Sequence, residues 1–279
     1  MDSFNFKFSQ LPVSRRPIVD LLKIIHCSTI PGYMIYDIDM TWAEKTRAEL
    51  LSRGFKITAT AVLLKAIGIA QITHPASRTE ILPLGRQVTY HDITAGFTVE
   101  RIINNQPTVF LGEISSPHTK SLIEIARELK KYSTGSIDSI KQLKVQNFFS
   151  KLPWFIRIAI LCFGQAFPRL RLTCQNATFG LTSLGKLGVK SLFSPCLCTS
   201  SFGIGSLEDR VVAKNKNISI QKTMTLSFNF NQKALDPENA ARFVQEVQRL
   251  MEGGLQEYLD PCFNNEVSLT ANDLIIAAS

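Results

Sequence analysis

The most regular hydrophobic pattern in the chain runs from Ile218 to Phe230. Ile218, Ile220, Met224, Leu226, Phe228 and Phe230 occupy one parity, and Ser219, Gln221, Thr223, Thr225, Ser227 and Asn229 the other. A period of two sends alternate side chains to opposite faces of an extended strand, so the pattern predicts one buried face and one wetter face. Directly after it the period changes. In "PENAARFVQEVQRLM" the residues Ala240, Phe243, Val244, Val247, Leu250 and Met251 fall on one stripe at helical spacing, which predicts an amphipathic helix packed on a sheet.

The rest of the chain alternates between the same two periods. "IVDLLKIIH" reads as a helix stopped by Pro31, and "GYMIYDIDM" as a strand. Thr41 with Glu44 three residues later has the spacing of a capping box, and Gly54 closes the helix they open. "ITATAVLLKAIGIAQITHP" is apolar on nearly every side, as a buried helix is, and Pro75 ends it. "QVTYHDITAGFTVE" and "PTVFLGEI" are rich in β-branched and aromatic residues and read as strands. Ser121 and Glu124 form a second capping box before the amphipathic "LIEIARELKKY". "ATFGLTSLG" and "TSSFGIGSL" read as further strands.

"WFIRIAILCFGQAF", Trp154 to Phe167, is the most apolar segment, but Arg157 interrupts it and it is shorter than the ~20 residues that span a bilayer. It reads as a packed or interfacial helix, with no membrane span. Strands and helices interleave without a repeat, a low-complexity tract or a linker. The expectation is one α/β domain over residues 1–252, N-terminal segment included, followed by a C-terminal tail at residues 253–279.

Composition narrows this picture. With 279 residues, 45% hydrophobic and 19% charged, the chain can bury a full core. The start, "MDSFNFKFSQ", has no basic segment leading into an apolar run, so a cytoplasmic protein is expected. The six cysteines, Cys27, Cys162, Cys174, Cys196, Cys198 and Cys262, are then expected as free and mostly buried thiols. Cys196 and Cys198 have no histidine or second cysteine pair near them in sequence, so no metal site is expected. The net charge of +8 is spread over pairs such as Arg15 and Arg16, Lys130 and Lys131, and Arg169 and Arg171. Such charge suits a solvated surface or an anionic ligand such as a nucleotide phosphate. With no zinc finger, basic zipper or RNA-binding aromatic motif beside it, nucleic acid is not an expected partner.

Four stretches, "IPGYMIYDIDMTWAEKTR", "KITATAVLLKAIGIAQITHP", "ATFGLTSLGKLGVKSLFSP" and "LSFNFNQKALDPENAARF", taken in this order, resemble the catalytic domain of the 2-oxo acid dehydrogenase acyltransferases, relatives of chloramphenicol acetyltransferase. The resemblance implies a chloramphenicol acetyltransferase-like mixed β-sheet flanked by helices. It also implies a homotrimer with its active site between subunits, and coenzyme A or an acyl-coenzyme A as substrate, with a small-molecule acyl donor and acceptor as partners. The chain lacks an Asp-Lys dipeptide of the lipoyl-attachment kind, so no lipoyl group is expected on it.

Carried over residue by residue, the family's Phe-Asp-His-Arg-like motif falls on Phe230, Asn231, Gln232 and Lys233, and its later acidic position on Asp236. The histidine that deprotonates the acceptor is therefore Gln232, whose carboxamide has no basic nitrogen at neutral pH. The resemblance implies Thr182 as the hydroxyl that stabilises the tetrahedral oxyanion. It also implies Arg16 as the support of Asp236, with Asn231 a further support of the site. Each residue has an ordinary reading as well. Asp236 before Pro237 suits a helix N-cap, Thr182 suits any strand, Arg16 can be surface charge, and Gln232 can either orient a ligand or satisfy its own hydrogen bonds. His26, His74, His91, His118, Glu113 and Asp92 lie outside the motif. Two functions follow from the resemblance. One is acyl transfer from a thioester to an unknown acceptor with a degenerate histidine motif; the other is a non-catalytic trimeric acyl-ligand-binding or scaffold protein.

Overall fold

The computed structural model describes residues 11–103, 106–167, 176–195, 198–214 and 217–259. In chain order the strands are β1 (Pro31–Asp39), β2 (Thr79–Ile81), β3 (Gln87–Thr89), β4 (Thr94–Ile103), β5 (Gln106–Ser115), β6 (Phe179–Ser183), β7 (Ser200–Lys214) and β8 (Asn217–Asn231). The α-helices are α1 (Arg16–Ser28), α2 (Thr41–Ser52), α3 (Ala59–Thr73), α4 (Leu122–Thr134), α5 (Lys141–Lys151), α6 (Trp154–Ala166) and α7, Pro237–Met251. Six strands make a mixed sheet in the order β1-β8-β7-β6-β4-β5, and β2 pairs with β3 as a small separate hairpin. The links β4–β6 and β6–β7 are parallel; the other pairs are antiparallel. The expected α/β architecture, a mixed sheet flanked by helices, is the observed one.

The helix expectations hold where local sequence decides them. α3 is buried continuously from Ala61 to Gln71, and the buried stripe of α7 is the predicted one, Ala240, Phe243, Val244, Val247, Leu250 and Met251. The Ser121 capping box forms completely: the Glu124 amide donates to Ser121 Oγ (3.2 Å) and the Ser121 amide to Glu124 Oε2 (2.8 Å). The Thr41 box does not form. Asp39 lies two residues upstream, and its carboxylate accepts from the Thr41 amide (2.9 Å) and hydroxyl (2.5 Å), while Glu44 pairs with Arg47. The nearer Asp39 carboxylate thus takes the place of Glu44 on the Thr41 amide, and the Glu44 amide donates to Met40 O (2.8 Å) instead of to the Thr41 hydroxyl. "QVTYHDITAGFTVE" is also not one strand; a bend at residues 91–92 divides it between β3 and β4.

The expectation for β8 needs the largest correction. From Thr223 to Phe230 every residue is buried, polar parity included. The apolar parity faces the helical layer, and the segment after β6 covers the polar one. There the Leu192 amide donates to Ser227 Oγ (3.1 Å) and Asn229 Nδ2 donates to Ser194 O (2.7 Å). That segment lies so close to β7 that a Cβ on Gly203 would stand 1.9 Å from Leu192 O, and one on Gly205 1.9 Å from Lys190 O. At the other end, Ile218 and Ile220 are 79% and 73% exposed despite their apolar parity. There β7 and β8 run beyond the registers of β1 and β6 and pair only with each other.

The core centres on Phe202, Phe228, Phe230 and Phe243, which join β7, β8 and α7. The residues expected to begin a tail at 253 include Leu255 and Leu259, both buried in this core. Residues 260–279 lie outside the described residues, as do Cys174, Cys196, Cys262, Arg169 and Arg171. Cys198 is a buried thiol that donates to Ala177 O (3.2 Å), whereas Cys162 is exposed. Among the described residues no helix is long and apolar enough to cross a membrane, and no cluster of three or more His, Cys, Asp or Glu side chains has metal-binding geometry.

Candidate active site

The motif corner forms where β8 ends beside the start of β1. Pro31 pairs with Asn231 and Gly32 with Phe230; the Phe230 ring lies over Gly32, where a Cβ would come within 2.4 Å of it, so a side chain at position 32 is excluded. Asn231 is the hub of the turn. Its amide donates to Thr199 O (3.0 Å), its side-chain Oδ1 accepts from the Ile30 and Lys233 amides (3.2 Å each), and its carbonyl accepts from the amides of Ala234 and Leu235 (3.0 Å each). Asn231→Ala leaves two backbone amides without their acceptor and is expected to cost ~1–3 kcal/mol in chemical denaturation. Asn231→Asp retains the acceptor and is expected to be close to the parent chain.

Gln232 is held twice to the same neighbour. Its amide donates to Ile30 O (2.8 Å) and its Nε2 to Pro31 O (2.9 Å). The side chain is exposed in the single chain, and Oε1 is left as an acceptor. A carboxamide so placed can fix a donor group of a ligand; it cannot take a proton.

Leu235 is buried and anchors the turn that leads into α7. Asp236 takes the capping role. Its carboxylate accepts from the Asn239 amide (2.9 Å) and Asn239 Nδ2 (2.6 Å), with Pro237 in the first turn. These Asn239 bonds hold its carboxyl below the usual carboxylate range. The stabilisation is therefore present above the unfolded carboxyl pKa and is lost as pH falls through the folded one. The Arg16 Nε donates to Leu11 O (3.2 Å), and among the described residues no ion pair joins Arg16 to Asp236.

Thr182 lies elsewhere in the same chain. It is half-buried on β6, where its register partner is Gly203 of β7, itself paired with Ser227 of β8. Ser227 is four residues before Asn231, roughly 13 Å along the strand, and two interstrand steps of about 4.8 Å add to that separation. One chain brings Asn231, Gln232 and Asp236 together and leaves Thr182 too far away to share a reacting atom with them. Around the corner, Ile30, Tyr33 and Ile35 are exposed, with Tyr33 set edge-on to Phe193 at 5.0 Å.

The other titratable candidates have structural positions. His74 ends α3, where Nδ1 lies 3.0 Å from Ala70 O, and its ring stands 5.8 Å from Phe243. Burial lowers the His118 pKa, and the nearby Lys65 and Arg78 charges add to the shift. Glu113 on β5 accepts from the Asn176 amide (3.1 Å), and burial raises its carboxyl pKa in spite of that bond. A carboxyl raised in the folded state loses stability as pH rises from the unfolded pKa through the folded one. Glu113→Gln is therefore expected to gain thermal stability relative to the parent at pH 7 and to lose that advantage at pH 4, as read by melting curves at both.

The close backbone approach at Gly203 and Gly205 had a sequence signal, two glycines inside the strand-like "FGIG". The hub role of Asn231 had none beyond its place in the motif.

Residues 171–258, which include Thr182, Asn231, Gln232 and Asp236, match the family described as 2-oxoacid dehydrogenases acyltransferase (catalytic domain). Comparison with curated protein sequences gives no match. Among solved structures, a probable dihydrolipoamide acetyltransferase from Listeria monocytogenes is 18% identical, with 90% of this chain and 96% of that one covered at a TM-score of 0.67. The dihydrolipoamide acetyltransferase of Azotobacter vinelandii is 19% identical, with 91% and 95% covered at 0.69. A truncated catalytic core of the 2-oxoacid dehydrogenase multienzyme complex from Thermoplasma acidophilum is 16% identical, with 89% and 99% covered at 0.64. At these identities the likeness is one of fold. Residues 171–258 thus match the 2-oxo acid dehydrogenase acyltransferase catalytic domain by sequence, and the chain shares the fold of such catalytic cores over about 90% of its length.

Proposed function

We propose that this protein binds an acyl thioester, such as an acyl-coenzyme A, between subunits of a homotrimer and transfers the acyl group to an acceptor that arrives already nucleophilic. The separation of Thr182 from Gln232 within one chain carries this reading. A site using both must draw Thr182 from one subunit and the Gln232 corner from another, and exposed Ile30, Tyr33 and Ile35 provide an apolar margin for that contact. The Azotobacter vinelandii enzyme has been investigated for the catalytic roles of a serine, a histidine and an asparagine, the last two four residues apart. Gln232 and Asp236 have the same spacing.

In the proposed step an uncharged amine, or a thiolate, attacks the thioester carbonyl carbon. The developing oxyanion accepts a hydrogen bond from Thr182 Oγ. Collapse breaks the carbon–sulfur bond and expels coenzyme A thiolate, which takes up the proton that an amine acceptor releases. Gln232 holds substrate through Oε1 and takes no part in proton transfer. The test is thiol release from short-chain acyl-coenzyme A donors with amine, thiol and hydroxyl acceptors, alongside light scattering. Turnover with amine or thiol acceptors by a trimer, reduced about 10²- to 10³-fold in Thr182→Ala, is expected. A monomer at micromolar concentration contradicts the shared site. Tight acyl-coenzyme A binding by a trimer without turnover selects the second reading, a non-catalytic acyl-ligand-binding protein. That reading is favoured by the commitment of Gln232 Nε2 to Pro31 O.

A further inference from the structure

The most unusual surface of the molecule is α6, which is built inside out. A surface helix ordinarily turns its charges to water and its apolar stripe to the core. Here the one charged residue of the helix, Arg157, is 4% exposed; it bonds Asp20 of α1 (2.6 and 2.8 Å) and donates to Leu152 O (2.6 Å). The outward residues are apolar: Trp154 (68% exposed), Phe155 (58%) and Phe163 (57%), with Cys162 beside them. Trp154 and Phe155 meet edge to face with ring centroids 6.2 Å apart. The preceding helix also exposes Val145 and Phe148, and sets the exposed Lys141, Lys144 and Lys151 on the same helical face.

Charge selects the occupant. Lys141, Lys144 and Lys151 are exposed, and from Ser139 to Phe167 the sequence has no Asp or Glu. Exposed aromatics on one helix, and exposed lysines without an acidic residue on the helix before it, suit an apolar layer beneath a negatively charged surface, which is an anionic lipid leaflet. Gln146 of α5 clasps the sheet edge at β5, accepting from the Leu111 amide (2.9 Å) and donating to Leu111 O (2.7 Å). β5 is the edge strand opposite β1, so α5 stands across the sheet from the Gln232 corner, while α6 packs on α1 through the Arg157–Asp20 pair.

We propose that α5 and α6 dock this protein onto anionic lipid bilayers. α6 lies in the interface plane, with Trp154, Phe155 and Phe163 in the boundary between headgroups and acyl chains and Lys141, Lys144 and Lys151 among the headgroups. Arg157, locked to Asp20, keeps charge off the inserted face. This docking does not depend on the acyl-transfer reading.

The experiment is flotation of the full chain with vesicles of phosphatidylglycerol and phosphatidylcholine, compared with phosphatidylcholine alone. The anionic vesicles are expected to capture the protein and the neutral ones much less. The double variant Trp154→Glu/Phe155→Glu alters exposed positions, retains the parent circular dichroism, and is expected to lower partitioning about tenfold or more. Lys144→Glu/Lys151→Glu is expected to weaken it as well. The chain has two tryptophans, Trp42 and Trp154. In a Trp42→Phe background the emission of Trp154 is expected to shift to the blue on vesicle addition and to be quenched by brominated lipids at a depth of about 5–10 Å. Failure of the parent to float with anionic vesicles overturns the proposal, as does flotation that the aromatic double variant leaves unchanged. A smaller assembly mass for that variant by light scattering also overturns it, because the face then covers another copy of the chain.

Discussion

Gln232→His is expected to raise acyl transfer from an acyl-coenzyme A to a thiol or hydroxyl acceptor by about 10²- to 10⁴-fold, the usual contribution of a general base. The corner can receive the histidine. Position 232 is exposed in the single chain, its backbone is held by the bond from its own amide to Ile30 O, and the Asn231 and Leu235 anchors do not involve its side chain. The substitution forfeits only the Nε2 bond to Pro31 O. The gain is expected to rise with pH as the imidazole loses its proton around its ordinary pKa of about 6.5, and to be smallest for amine acceptors, which need little help in attacking. Initial rates for parent and variant across pH 5.5–8.5 with one thiol, one hydroxyl and one amine acceptor give the answer. An unchanged rate for all three would mean that the corner no longer meets the reacting atoms. Turnover in the variant alone would mean that the parent retains the frame without the chemistry.

Phe228→Ala is expected to be the most damaging single truncation in the sheet, costing about 3–5 kcal/mol in denaturant unfolding. Phe228 is fully buried, and its ring centroid lies 4.8 Å from Phe202, 5.4 Å from Phe230 and 5.8 Å from Phe243. The void left by its removal therefore opens between β7, β8 and α7, and three large rings cannot all move to fill it. Ile220→Ala on the same strand and of the same parity is the control, with an expected change of roughly 0.5 kcal/mol or less. Similar losses at both positions would contradict the burial assigned to β8.

That pair of residues also marks how far the sequence can be read. The alternation from Ile218 to Phe230 is interrupted on its apolar parity only by Lys222, and the structure divides it there into an exposed ribbon end and a strand buried on both faces. Alternation reports which residues share a face; the cover on each face comes from the helices and from residues near Leu192, dozens of positions away. Ser121 and Thr41 differ for a more local reason, since Asp39 competes for the amide in one case and no such carboxylate competes in the other. The candidate site was legible as a motif and as a missing base. The separation between Thr182 and Gln232 was not, because strand order and register set it.

By itself the sequence determined the alternation of strands and helices, the buried α3, the stripe of α7 and the exchange of histidine for Gln232. All of these depend on period, on capping chemistry or on the identity of one residue. Only the tertiary structure decided that Arg157 turns inward to Asp20 and leaves an aromatic face outward, and that Thr182 stands apart from the Gln232 corner. Each of these is a choice among partners distant in the chain or rival geometries, and packing makes that choice.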